Sequence, residues 1–80
     1  MQIKMYTKSY CSYCHAAKNL LAKRGLVFEE IPIMGDAEAE RQMRDLTGGR
    51  TVPQILIDNK PIGGYTELVY LDMDGKLQGE

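Results

Sequence analysis

The chain's only two cysteines form Cys11-Ser12-Tyr13-Cys14, at the junction of a strand-like run, 2–7, with a helix-like run, 12–24. That placement constrains the fold more than any other stretch does. A cysteine at the start of a helix sits where unpaired backbone N–H groups and the helix dipole favour negative charge, so Cys11 is expected to be a thiolate near neutral pH. Cys14 lies one turn into the helix on the same face, within reach of a disulfide to Cys11. The pair can then cycle between dithiol and disulfide. Three other readings compete. A zinc half-site needs two further soft or imidazole ligands, whereas the chain offers one histidine, His15, which as the neighbour of Cys14 points off the Cys11/Cys14 face. His15 also completes Cys-x-x-Cys-His, the attachment pattern of a c-type haem, but a strand precedes the motif and no export signal does. A purely structural disulfide would close a loop too short to remove much chain entropy.

Eighty residues make one small domain, 1–80, which buries about 60% of its unfolded surface on folding. With 44% hydrophobic and 26% charged residues, neither disorder nor low complexity is indicated. No apolar run approaches the roughly 20 residues that span a bilayer, and no signal-peptide pattern opens the chain. The expectation is a soluble, cytoplasmic protein with no membrane partner. In a reducing compartment a cysteine pair is more often catalytic or metal-binding than structural. The net charge is −1 and the basic residues are dispersed, so no footprint for nucleic acid is expected.

Strand and helix periods alternate along the chain. Ile3 and Met5 alternate with Lys4 and Tyr6, a short strand with at least one buried face. Cys14, Ala17, Leu20 and Leu21 then make one side of a helix that Gly25 ends, after Lys23 and Arg24. A second strand is expected over 26–33, and strand, helix, strand with short joins implies a right-handed parallel unit. Asp36 reads as the N-cap of a helix with Ala39, Met43 and Leu46 on its inner face, its many charges forming a solvated side, and Gly48-Gly49 breaks it. Thr51-Val52-Pro53 precedes two short apolar strands joined by a turn at Asp58-Asn59-Lys60, an antiparallel hairpin. Gly63-Gly64 leads into a last helix, 65–73, with Leu68, Leu71 and Val69 turned inward and Gly75 past its end. Asp72-x-Asp74-Gly75 lacks the third oxygen ligand and the glutamate of a calcium loop, so it reads as a helix C-cap.

Three elements in this order and spacing, Lys8-x-x-Cys11-x-Tyr13-Cys14, Thr51-Val52-Pro53 and Gly63-Gly64-x-Thr66-Glu67, resemble a glutaredoxin of the short bacterial dithiol type, over nearly the whole chain. The resemblance implies an α/β thioredoxin-like fold: a four-stranded mixed sheet, order 2-1-3-4, flanked by three helices. It also implies a glutathione-dependent thiol-disulfide oxidoreductase, with Cys11 as nucleophile, Cys14 as resolving cysteine, and Pro53 as the proline that is cis in this fold. Lys8, Tyr13, Thr51, Val52, Pro53, Gly64, Thr66 and Glu67 match the positions that hold glutathione. Each has a physical rationale: Lys8 places a cation beside the sulfur, Val52 offers its backbone as an added strand would, the helix opening at Gly64 and Thr66 suits a carboxylate, and Glu67 suits an ammonium. Taken singly, each has a plain structural explanation: a surface lysine, a strand entry, a helix cap.

The implied partners are glutathione, as cosubstrate, and disulfide-containing or glutathionylated proteins, met by a monomer with no tightly bound cofactor and no resident metal. Ser12 stands where many members carry proline, and Glu67 where they carry aspartate. Because of Ser12 an alternative function stays open, an iron–sulfur carrier in which two chains and two glutathiones hold a [2Fe-2S] cluster through Cys11. A thioredoxin served by a reductase would carry tryptophan before the motif; this chain has Tyr10 there and no Trp.

Overall fold

The computed structural model describes residues 1–77. Its elements are β1 (Ile3–Thr7), α1 (Ser12–Lys23), β2 (Glu29–Pro32), α2 (Ala37–Thr47), β3 (Gln54–Ile57), β4 (Lys60–Gly63) and α3 (Tyr65–Met73). The sheet order is β2-β1-β3-β4, with β1 parallel to β2 and antiparallel to β3, and β3 antiparallel to β4. This is the mixed 2-1-3-4 sheet with three helices that the resemblance implied.

Alternation along the two central strands sorts the core into two layers. Ile3, Met5 and Ile55 meet Ala17 and Leu21 of α1 and Leu68 of α3, while Tyr6 and Leu56 meet Ala39 and Met43 of α2. A strand paired on both sides and covered on both faces has no solvent side, which is why Tyr6 is as buried as Met5: of the expected strand with at least one buried face, both faces are covered. Burial also holds the Tyr6 phenol above its ordinary pKa, with the Glu29 charge adding to the effect.

The local stop signals act as anticipated. Gly25, Gly48 and Gly75 take left-handed φ values of 72°, 73° and 72° at helix ends, and Asp36 Oδ1 caps α2 by accepting the Ala39 N–H at 3.0 Å. The β3–β4 turn is one residue shorter than the expected Asp58-Asn59-Lys60: Asp58 and Asn59, with φ of 49° and 66°, turn the chain in two residues, and Lys60 opens β4 paired with Ile57. Asp72 is taken up elsewhere: Arg24 donates to its two oxygens at 2.6 and 2.9 Å, tying the end of α1 to α3.

Three further expectations are corrected. The second strand is half as long as the 26–33 run, because after Gly25 the Leu26 N–H donates back to Leu21 C=O at 3.0 Å and closes the helix. Leu26 and Phe28 then pack on the core edge from irregular backbone, and Val27 faces solvent. Leu46 is exposed and belongs to neither core layer, so the covered face of α2 ends at Met43. Val69 is half-buried and likewise outside the core layers, whereas Leu71 packs against the α1/α3 layer. Leu77, given no role from the pattern, is a fully covered member of that layer.

The register decides where chemistry can gather. Tyr6 pairs with Gln54 and Ile55 with Gly63, so the end of β1, the start of β3 and the end of β4 share one edge of the sheet. The Cys11 turn, the Pro53 loop and the entrance to α3 therefore meet there.

Candidate active site

Cys11 is the N-cap of α1, in extended conformation, and its Sγ accepts the Cys14 N–H at 3.2 Å. An N–H donor and the positive end of the helix thus face the sulfur, as the strand-to-helix junction required. The same sulfur lies 3.5 Å from the Val52 carbonyl oxygen, to which its S–H donates. Both cysteines are free thiols, Cys11 half-exposed and Cys14 fully buried. Burial, and then the adjoining Cys11 sulfur, push the Cys14 thiol up to about 11. The two sulfurs are therefore chemically unequal: one faces a donor at the surface, the other is an apolar thiol behind it. His15 turns away, its Nε2 3.1 Å from the Ser9 carbonyl oxygen.

Beside Cys11 runs a groove of about 500 Å³ lined by Tyr13, Thr51, Val52, Pro53, Gly64, Thr66 and Glu67, together with Gln54, Gly63 and Tyr65. Residues from three separate stretches of sequence converge on it. The Val52–Pro53 peptide bond is cis, and a Cβ on Gly64 would sit 3.2 Å from the Pro53 carbonyl oxygen, so the entrance to α3 approaches the loop closely. Glu67 reaches back to accept the Gly64 N–H at 2.8 Å. The Tyr13 and Tyr65 rings stand 5.9 Å apart, tilted by 32°, across one end of the groove.

The sequence and the fold have counterparts among known proteins. The glutaredoxin family model matches residues 3–62, three quarters of the chain. The chain belongs to the glutaredoxin family. Glutaredoxin 3 of Escherichia coli K12 is 47% identical over 75 residues, which cover 94% of this chain and 90% of that protein. Among solved structures, the glutaredoxin of Brucella melitensis is 38% identical with a TM-score of 0.81, covering 96% of this chain and 84% of that one. The buckwheat glutaredoxin–glutathione complex is 31% identical with a TM-score of 0.84, covering 94% and 71%. Family and fold support thiol–disulfide oxidoreductase chemistry, and Cys11 and Cys14 fit its dithiol motif.

Within this glutaredoxin, seven of the eight residues that the resemblance associated with glutathione line the one groove, and Lys8 does not. Lys8 sits on the other flank of Cys11, where its C=O accepts the Cys11 N–H at 3.3 Å and its side chain borders a second depression. Glu67, expected to be open toward a ligand's ammonium, has one oxygen committed to the Gly64 N–H. Gln54 and Tyr65 of the groove were not singled out from the sequence, and Gly63, quoted as part of the Gly63-Gly64-x-Thr66-Glu67 element, was not given a place among the glutathione-holding positions.

A polar cluster behind the motif was missed as well. Thr7, buried at the end of β1, donates to Glu30 Oε2 at 2.7 Å, and Lys18 Nζ lies 3.0 Å from the same oxygen. The Thr7 hydroxyl first, and then Lys18, hold the Glu30 carboxyl below the usual carboxylate range. These residues are 11 and 12 positions apart along the chain, too far for any local pattern to join them.

Proposed function

We propose that this glutaredoxin reduces protein disulfides and glutathione mixed disulfides at the expense of glutathione, as a single 1–80 domain acting as a monomer in a reducing cytoplasm. The observation that carries the reading is the position of Cys11 Sγ, 3.2 Å from a helix N–H and 3.5 Å from the Val52 carbonyl in the wall of a peptide-sized groove. The glutathione-bound state of the buckwheat relative adds support.

Val52 offers main-chain groups to the extended tripeptide, as a neighbouring strand would. Thr51 and Pro53 flank it, and Tyr13 closes the side of the groove toward the sulfur. The α3 N–H groups at Thr66 and beyond face one glutathione carboxylate, with Gly64 keeping the approach open. The oxygen of Glu67 not engaged by Gly64 takes the ammonium. Lys8, from the opposite flank, supplies a cation beside the reacting sulfur and the other carboxylate.

With a glutathionylated protein, the Cys11 thiolate attacks the glutathione sulfur. The protein's sulfur leaves as thiolate and takes a proton, and a Cys11–glutathione disulfide remains. A second glutathione thiolate attacks that glutathione sulfur, releasing Cys11 and oxidised glutathione. With a protein disulfide, the Cys11 thiolate attacks one target sulfur, and the other leaves as thiolate and takes a proton. Cys14, once deprotonated, then attacks Cys11 Sγ and expels the first target sulfur, which is protonated in turn. The Cys11–Cys14 disulfide then holds the two electrons' worth of oxidation until two glutathiones remove it. Because one sulfur faces the donor and the other is buried, Cys11→Ser should abolish both reactions, whereas Cys14→Ser should keep deglutathionylation and lose most protein-disulfide reduction. Equal losses in the two variants with a glutathionylated substrate would refute the assignment.

A further inference from the structure

A disulfide substrate has two arms, and the groove beside Val52 receives one of them. On the other flank of Cys11 lies a second depression of about 420 Å³, bordered by Lys8, Tyr10, Met34, Asp36 and Glu40. It adjoins the reacting residue, since Tyr10 is its neighbour in the chain and Lys8 C=O accepts its N–H. The other depressions, bordered by residues such as Met1, Gln2 and Lys60, or Arg24 and Asp72, are set around the start of β1 or the far end of α1.

The composition of this second groove is specific. Tyr10 and Met34 present apolar surface, 73% and 51% exposed, in a molecule this small. Glu40 is half-buried and Asp36 exposed, and among the described residues neither forms an ion pair with lysine or arginine. Asp36 spends one oxygen on capping Ala39. Away from the cation at the Cys11 rim, the groove is thus apolar, then acidic.

We propose that this groove receives the polypeptide arm of the target, a segment with an apolar side chain next to its cysteine and a lysine or arginine a few residues further on. The apolar side chain covers Tyr10 and Met34, and the cation meets Glu40 and Asp36. The inference rests on the glutathione reading of the first groove. No bond is made in the second groove; it raises the local concentration of one class of target at the attacking sulfur.

The test uses three substrates with the same scissile bond: a glutathionylated peptide with arginine flanking an apolar-adjacent cysteine, the same peptide with glutamate in place of arginine, and the glutathione mixed disulfide of 2-mercaptoethanol. The wild-type protein should prefer the basic peptide over the acidic one by about fivefold in kcat/KM at low salt, as expected for exposed ion pairs. The preference should shrink as ionic strength rises. Glu40→Gln should roughly halve it and Glu40→Lys should reverse it, with turnover of the small mixed disulfide unchanged. Absence of discrimination in the wild type, or discrimination that survives Glu40→Lys, overturns the inference. So does an equal change on all three substrates, or a change confined to the KM for glutathione, which would assign the groove to the second glutathione. Failure of the underlying glutathione reading shows separately, as loss of wild-type turnover with the small mixed disulfide.

Discussion

The inequality of the two thiols can be read directly by alkylation of the reduced protein. At pH 7.5 a thiol titrating at about 11 is ionised to roughly 1 part in 3,000, against roughly 1 in 11 for an ordinary cysteine near 8.5, a deficit of about 300-fold. The more basic thiolate is the better nucleophile, with a Brønsted slope of about 0.4–0.5, which over about 2.5 pH units returns roughly 13-fold. Cys14 should therefore react about 20-fold more slowly than an ordinary cysteine, before the steric exclusion of its fully buried sulfur is counted. Cys11, half-exposed and facing an N–H donor, should be labelled first. The assay is iodoacetamide labelling across pH 6–10, with each site resolved by peptide mass spectrometry. Labelling of Cys14 should climb by about tenfold per pH unit through pH 9, because its thiol gives up the proton only toward about 11. Burial is the larger cause and the Cys11 sulfur the next, so Cys11→Ser should move the plateau of Cys14 downward without bringing it to the ordinary range. Comparable labelling of both sulfurs in the wild type at pH 7.5, or Cys14 labelled first, would refute the argument from burial.

Three further expectations follow from the same geometry. Gly63→Ala puts a Cβ 2.7–2.9 Å from Glu67 atoms at a φ of +111°, so it should cost about 1–3 kcal/mol in urea unfolding; it should also raise the KM for glutathione by displacing Glu67 from Gly64, and an unchanged KM in the folded variant would show that the α3 entrance is not part of the ligand site. Lys8→Glu should lower kcat/KM with glutathione by about tenfold or more, whereas Lys23→Glu, an equal change in net charge beyond a Debye length of about 8–10 Å, should have little effect; equal losses would make Lys8 a surface lysine. The Glu30 carboxyl is held below its unfolded value of about 4.3, so its contribution to stability is present above that pH and lost as pH falls through the lower folded value. Glu30→Gln should then flatten the fall in urea midpoint between pH 6 and pH 3, and an unaltered slope would show that the Thr7–Glu30–Lys18 cluster adds nothing to acid stability.

What the chain states locally, it states well. Each helix end is announced within a turn by Asp36, Gly25, Gly48 or Gly75, and the β3–β4 turn by Asp58-Asn59, because capping and positive φ are satisfied by groups three or four residues apart. The redox pair is legible for the same reason, since the donor to Cys11 Sγ is the N–H of Cys14, inside the motif. Burial and convergence are different. The pattern of β1 implies at least one buried face but cannot say that strands pair on both its sides, so the burial of Tyr6 was decided only by β2, β3 and α2. No run of residues marks Leu77 as core, because what covers it comes from elements distant in sequence. The partition of the site also waited on tertiary structure. Lys8 and Tyr13 stand on either side of Cys11 in sequence, but the strand register carries Val52 and Gly64 to Tyr13's side and leaves Lys8 with the start of α2. A side chain's neighbours across a sheet edge are set by strand order and register, which are decided by the burial of the whole sheet and not by the residues that flank the site.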